Sequence, residues 1–179
     1  MKLRKFAAAG LIFLLALTCG TALAGSEHAL GKPLVAHGLI IQPVYLQSVE
    51  MAPAMPGVNK KADIHLELDI HADKSNKRGF QPGSWIPALT VSYEIRKKGS
   101  DWSTFGTLMA MVANDGPHYG ANVNLDGPGK YTASFKIAPP PYTGFLRHTT
   151  KDTGVAPWWP PFKHAWTFTY IGVGKKGGY

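Results

Sequence analysis

The sequence predicts an all-β fold of the immunoglobulin-like β-sandwich class, and three observations support this prediction. Apolar and polar residues alternate with period two in several segments, which is typical of half-buried strands. The chain has 20 glycines and 14 prolines in 179 residues, and many of them lie between these segments, as expected of short strands joined by turns. Beyond the N-terminal segment, no stretch repeats its apolar residues every 3.6 positions. We therefore expect seven or eight strands in a single sandwich domain.

The first 24 residues have the three parts of a secretory signal peptide. A short basic region precedes an apolar stretch, Leu11 to Leu17, that is too short to be a permanent membrane span. The small residues Ala22 and Ala24 then form a cleavage site. Cleavage after Ala24 is favoured over lipid attachment at Cys19, because Thr18 stands where a smaller residue is usual. The expected organisation is a signal peptide over residues 1–24 and one domain over residues 25–179.

Export has consequences for the chemistry of the mature chain. Cys19 is the single cysteine, so the mature protein would enter an oxidising compartment without a disulfide. A cysteine-ligated zinc site, a blue-copper site and thiolate catalysis are therefore excluded. Loss of three basic residues and no acid lowers the formal net charge from +8 to +5. The remaining charges are scattered, which disfavours a nucleic-acid partner.

The predicted strands follow one another along the chain, separated by turn-forming sequences. Residues 25 to about 34 are polar and are expected to be loose. Glycine, proline and aspartate mark the turns, most clearly at 126–129 and 139–141. Besides the strand at 62–71, the segments with strand character lie at 39–46, 89–96, 131–137 and 166–170.

One predicted strand carries two unlike faces. Side chains alternate across a strand, so the stretch from 62 to 71 separates its residues into two sets. The first set is a core face, made of Ile64, Leu66, Leu68 and Ile70. The second set contains only potential metal ligands, which are Asp63, His65, Glu67, Asp69 and His71. A solvated polar face is the alternative interpretation, but five ligand-type residues without an intervening lysine, serine or threonine are as well explained by a metal site.

The further candidate ligands lie later in the chain and are Met111, His118 and His148. Met109 and Met111 place two thioethers on one side of a strand. His118 follows in a sequence of turn formers, so we expect it at a fixed bend. His148 comes after the triple proline. The alternative at Met111 is a methionine that packs in the core. The alternative at His118 and at His148 is a solvated side chain.

The ligand types restrict the metal more than any single residue does. Histidine and methionine without cysteine favour copper, and a carboxylate extends the preference to harder ions such as Fe²⁺ or Mn²⁺. No nucleophile with an adjacent base is indicated by the spacing, so no catalytic residue, organic cofactor site or small-molecule substrate is predicted. Any redox activity would belong to the metal, and the protein is not expected to be an enzyme.

Several long motifs resemble one known family. They are the segments 62–67 and 69–72, 83–87, 109–122, 147–149 and 158–162. In order and in sequence they resemble the bacterial periplasmic iron-transport proteins, a family that includes copper-binding ferrous-iron uptake proteins and a treponemal membrane antigen. The resemblance extends from about Pro43 to Val173.

The resemblance implies an immunoglobulin-like sandwich, a homodimer with a metal site near its interface, and an inner-membrane iron permease as partner. It also implies copper together with Fe²⁺ or manganese as the bound metals. The family's ligand pattern falls on His65, Glu67, Met111, His118 and His148. His71 matches a histidine common in the motif, and Glu50 matches an acidic residue linked to a second metal position.

Two other functions are consistent with the same residues. A periplasmic copper buffer or chaperone would use the same ligands with no role in iron. An adhesin-like sandwich that binds host proteins would use metal only to hold its dimer together.

Overall fold

The computed structural model describes residues 27–54, 58 and 61–173. It confirms the all-β prediction, because these residues form nine strands and a single turn of 3-10 helix, Pro140–Thr143. The strands are β1 (His28–Ala29), β2 (Leu34–Ala36), β3 (Leu39–Leu46), β4 (Ile64–Ala72), β5 (Thr90–Lys97), β6 (Ser103–Ala113), β7 (Gly116–Val123), β8 (Gly129–Ala138) and β9 (Phe162–Tyr170). In the described ranges, no helix has the length and apolar character needed to cross a membrane.

The strands form one sheet that curls into two layers. Its order is β1-β3-β4-β7-β6-β5-β8-β9, with β2 paired to β3, and every pairing is antiparallel. Strand β6 belongs to both layers, because residues 103–108 pair with β5 and residues 109–113 pair with β7. This two-layer arrangement fits the predicted sandwich.

The core lies between the layers and contains the predicted face of β4. Ile64, Leu66, Leu68 and Ile70 are all fully buried. Across the core, the ring of Tyr45 lies 5.5 Å from that of Phe168. The alternation that predicted the inward face of β4 is therefore confirmed.

The segment before β2 differs from the prediction that it would be loose. His28 pairs with Tyr45, and the amide of Leu30 donates a hydrogen bond to the carbonyl of Pro43. From the other layer, Trp166 Nε1 donates to the carbonyl of Lys32 at 2.9 Å. These partners are distant in sequence, so local composition could not reveal them. The predicted signal peptide lies outside the described residues.

A buried tyrosine fixes β7 against the connection between β4 and β5. The hydroxyl of Tyr119 donates to the carbonyl of Ile86 at 2.8 Å and accepts from the amide of Leu89 at 2.9 Å. Its ring also stacks on Trp85 at a centroid distance of 5.2 Å. Tyr119 points into the core, so the adjacent His118 points to the opposite face of the sheet.

Candidate metal centre

The candidate ligands lie on the face of β4, β6 and β7 that is opposite to the core. Residues directly paired in an antiparallel ladder project to the same face. His65 is paired with Asn122, and Met111 is paired with His118. Strand register therefore brings together residues that are up to 57 positions apart in the sequence.

Three of the predicted ligands converge at one point. Nε2 of His65 lies 3.4 Å from Oε1 of Glu67, and Nε2 of His118 lies 3.3 Å from the same oxygen. One donor atom from each residue falls within 4.8 Å of the others. Donors bound at about 2.1 Å to one ion lie roughly 3 to 3.5 Å apart, so this spacing suits a single metal ion. We call these three residues the His–Glu cluster.

Burial and hydrogen bonding support a metal at the His–Glu cluster. The exposed fractions are 1% for His65, 6% for Glu67 and 5% for His118. Nε2 of each histidine is buried without a hydrogen-bond partner. A buried polar atom without a partner carries a free-energy cost, and a metal ion placed between these atoms would satisfy both nitrogens. The residues present therefore fit a copper or ferrous ion.

Gly120 leaves the space that such an ion needs. This residue stands between the ligand-bearing strands, opposite Glu67 on one side. A Cβ atom at this position would lie 2.6 Å from Nε2 of His65 and 3.1 Å from Sδ of Met111. Any side chain here would therefore occupy the volume into which the donor atoms point.

Asn122 sets the orientation of the His65 ring. Its Oδ1 lies 2.8 Å from Nδ1 of His65 and accepts a hydrogen bond from the amide of Val49 at 3.2 Å. Because Oδ1 is an acceptor, Nδ1 carries the proton and Nε2 keeps its lone pair toward Glu67. A histidine held in this tautomer is ready to bind a metal without rearrangement.

The ionisation of the cluster favours its neutral form when no metal is bound. Burial raises the pKa of Glu67 to about 8, and the neighbouring carboxylates of Asp69, Glu27 and Asp115 contribute in the same direction. Burial also lowers the pKa of His65, partly opposed by the hydrogen bond to Asn122. A metal cation would supply the positive charge that a carboxylate at this position lacks.

Met111 borders the same cavity as the His–Glu cluster. The cavity has a volume of about 680 Å³, and its walls include Glu50, Met109 and Met111 as well as the three clustered residues. The side chain of Met111 is half-buried. It reaches the cluster within its own chain, because its Sδ approaches the space above Gly120 that His65 also borders.

His148 lies apart from this cluster within the chain. It is exposed in the loop after the 3-10 turn, and its Nδ1 lies 3.0 Å from the hydroxyl of Thr153. The group of three that could hold an ion does not include it. His71 is also outside the group and is half-buried where its backbone bridges to Trp85.

Two features differ from the sequence analysis or were absent from it. His118 was expected at a bend, but it lies within β7, two residues after the strand begins. The turn is formed by Asn114 and Asp115, so the turn-forming residues in front of His118 were interpreted too broadly. Gly120 and Asn122 were missed as site residues. Both lie at even spacing from His118, and that period-two spacing was the available signal.

Comparison with known proteins places these features in a family. A family model described as "Fe2+ transport protein" matches residues 24–172. A UPF0423 protein of Brucella abortus is 45% identical over 178 residues, which cover 97% of this chain and 98% of that protein. The 34 kDa membrane antigen of Treponema pallidum is 37% identical over 147 residues, which cover 78% of this chain and 72% of the antigen.

Solved structures with the same fold contain copper. Copper-reconstituted P19 from Campylobacter jejuni is 44% identical, with a TM-score of 0.81, and the match covers 84% of this chain and 100% of that one. A copper-bound variant of FetP from uropathogenic Escherichia coli is also 44% identical, with a TM-score of 0.80 and coverage of 83% and 99%. FetP was also crystallised after recombinant expression in the periplasm of E. coli.

Proposed function

The chain belongs to the Fe2+ transport protein family, and from this premise we propose that it is a periplasmic metal-binding protein of high-affinity iron uptake. It would bind copper and ferrous iron, or manganese in place of iron, and pass iron to an inner-membrane permease. The observation that carries this proposal is the His–Glu cluster, with its two unpartnered imidazole nitrogens 3.3 and 3.4 Å from one carboxylate oxygen.

The donor set supports both metals. Imidazole nitrogens suit copper and iron alike, and a thioether such as that of Met111 adds preference for copper. The carboxylate of Glu67 is the donor that a ferrous ion favours among these residues. The relative affinity of this position for the two metals would therefore depend on how strongly Glu67 and Met111 each coordinate the ion.

We further propose a homodimer in which His148 of one copy completes the site of the other. Two observations support this arrangement: His148 is exposed on a loop, and the cavity beside the His–Glu cluster remains open to solvent at Met109. A histidine that has no role in the site of its own chain is available to a second copy. A disulfide-free sandwich also has strand edges that a second copy can cover.

Mixed dimers would test the shared site directly. In a dimer of one His118→Ala chain and one His148→Ala chain, exchange across the interface leaves one complete site. If His148 acted within its own chain, both sites of that mixed dimer would be damaged. We expect half of the wild-type high-affinity copper sites in the mixed dimer and almost none in either parent dimer. Loss of all such sites in the mixed dimer would refute the exchange, and a monomer in sedimentation would refute the dimer.

Competition between metals would test the binding function. Purified mature protein would be titrated anaerobically with Fe²⁺ and separately with Cu²⁺, and each metal would then compete with the other. We expect both to bind at the His–Glu cluster, so Glu67→Gln should weaken Fe²⁺ more than Cu²⁺. Copper binding without any Fe²⁺ binding would favour the alternative of a copper buffer or chaperone.

Radioactive iron uptake would test the transport role. Cells that carry the gene and its permease would be compared with cells in which the chain carries His118→Ala, at equal protein level. We expect slower Fe²⁺ uptake in the variant at low iron supply and equal uptake when iron is abundant. Equal uptake at low supply, together with increased copper sensitivity, would instead indicate copper handling.

A further inference from the structure

The methionines that the structure describes are concentrated in one place. The sequence has five, which are Met1 and the two pairs at 51 and 55 and at 109 and 111. Met1 falls in the predicted signal peptide, and Met55 lies outside the described residues. The remaining three, Met51, Met109 and Met111, line the same 680 Å³ cavity as the His–Glu cluster. All the methionines that the structure describes therefore border this site.

Strand register explains how two of them reach the cavity. Met109 is paired with Gly120, which is itself paired with Glu67 on its other side. Neighbouring strands are about 4.8 Å apart, so the α-carbons of Met109 and Glu67 are separated by roughly 10 Å with no side chain between them. Met111, two residues after Met109, projects from β6 to the same face.

The third methionine is brought to the cavity by Asn122. The side chain of Asn122 donates from Nδ2 to the carbonyl of Val49 at 2.7 Å and accepts from the amide of the same residue at 3.2 Å. This pair of hydrogen bonds ties the segment after β3 to the ligand-bearing face. Met51 follows two residues later and is half-buried.

These side chains do not fill gaps in the core. Met109 is 41% exposed, and Met51 and Met111 are half-buried, so none of them belongs to the buried apolar set between the layers. The three also line a second, adjoining cavity of about 250 Å³, whose walls contain no carboxylate, imidazole or ammonium group. The thioether sulfurs are the soft donors in that second cavity.

We propose that Met51 and Met109 supply a second metal site that takes a monovalent d¹⁰ ion, Cu(I), beside the His–Glu cluster and the thioether of Met111. Thioethers select Cu(I), whereas imidazole and carboxylate suit divalent copper and iron. A cavity of 680 Å³ is far larger than one coordinated ion requires, so it has room for two ions. The site goes beyond the proposed function, and no electron transfer between the ions is part of it.

Silver is the probe for this site because Ag(I) is a soft d¹⁰ ion that undergoes no redox change under these conditions. Mature protein would first receive one equivalent of Cu²⁺ and would then be titrated with Ag(I). We expect a second equivalent to bind while the integrated Cu²⁺ EPR signal remains. Displacement of Cu²⁺ by Ag(I), or absence of a second equivalent, would overturn the proposal.

Two leucine variants assign the ligands. Met51→Leu and Met109→Leu keep an apolar side chain of similar volume, so both proteins should fold and bind the first Cu²⁺ with unchanged affinity. Each should weaken Ag(I) binding by about tenfold or more. Phe105→Leu, at an apolar position in the wall of the second cavity, is the matched control and should leave Ag(I) affinity unchanged. Wild-type Ag(I) affinity in both methionine variants, as in the Phe105→Leu control, would show that these thioethers do not bind Ag(I).

Methyl signals provide a readout that does not depend on affinity. With ¹³C-methyl methionine, the leucine variants assign the Met51 and Met109 signals, and we expect both to shift when Ag(I) is added to the copper-loaded wild type. A shift confined to Met111 would mean that Ag(I) enters the His–Glu cluster, and the proposal would be wrong. Because Cu²⁺ and Fe²⁺ binding are measured separately, failure of this site would leave the proposed function untouched.

Discussion

His65 holds Nδ1 2.8 Å from Oδ1 of Asn122, and this contact decides which ring nitrogen faces the cavity. The same oxygen accepts from the amide of Val49, so one amide side chain positions both a metal ligand and the segment that follows β3. Asn122 is therefore a positioning residue rather than a ligand.

Asn122→Ala should weaken copper binding by about 10- to 100-fold, as is usual when a partner of a ligating histidine is lost. The ring of His65 would then be free to rotate, and its Nδ1 would lose the acceptor that fixes the tautomer. Isothermal titration gives the affinity, and the Cu²⁺ EPR hyperfine coupling reports the altered geometry. Asn124→Ala, an exposed asparagine two residues on, should behave as wild type. Unchanged EPR parameters in Asn122→Ala would contradict the positioning role.

Gly120→Ala should abolish high-affinity copper binding while the sheet still forms. The added Cβ would lie 2.6 Å from Nε2 of His65, in the space that the ion needs. Gly106→Ala is the matched control, since its Cβ would meet the hydroxyl of Tyr93 at 2.7 Å instead. The control should lose thermal stability without losing Cu²⁺ affinity. Wild-type copper affinity in Gly120→Ala would show that the ion binds elsewhere.

His118→Ala should weaken copper binding by about 100-fold or more, because loss of a ligand costs more than loss of its partner. His164 is a matched control, because it is exposed on β9 and lines neither cavity. His164→Ala should keep the wild-type affinity in the same competition assay. Equal copper affinity in the His118→Ala and His164→Ala proteins would show that His118 is not a ligand.

Glu67→Gln should change the pH dependence of the metal-free protein. The folded chain keeps the proton of Glu67 up to about pH 8, whereas the unfolded chain releases it near the ordinary value of 4.5. Stability contributed by this group is therefore present below about pH 4.5 and is lost as pH rises toward 8. A pKa difference of one unit corresponds to about 1.4 kcal/mol, so the shift from 4.5 to about 8 sets an upper bound of about 5 kcal/mol on what wild type loses relative to the variant over this range. Parallel urea-unfolding profiles for the two proteins would contradict this.

Copper affinity should fall as the pH is lowered from about 8 toward 5. The proton that the metal displaces near neutral pH is that of Glu67, whose pKa is raised to about 8, because burial lowers the pKa of His65. Protonation of the histidines then adds to the effect at lower pH. Titration calorimetry in buffers of different ionisation enthalpy would count the released protons. Flat affinity from pH 8 to 5 would exclude both groups as ligands.

The fold and the ligands on β4 could be predicted because they depend on period-two alternation. Ile64, Leu66, Leu68 and Ile70 point into the core as expected, and the alternating His65 and Glu67 therefore share the other face. The pairing of β4 with β7 could not be derived from alternation alone, since nothing local to His118 specifies which strand lies beside it. The same limit applied to Asn122 and to the segment from His28 to Lys32, whose partners lie far away in the sequence.

Strand β6 passes from one layer to the other between Leu108 and Met109, and this has a mechanical consequence. Residues on both sides of that crossing belong to one continuous backbone, so pulling β5 away from the sandwich applies tension along β6 toward Met109 and Met111. An ion bound by both Met111 and His118 would cross-link β6 to β7 next to the crossing and resist their separation. Under force applied with optical tweezers, the metal-loaded protein should therefore rupture at higher load than the metal-free protein when it is pulled through β5.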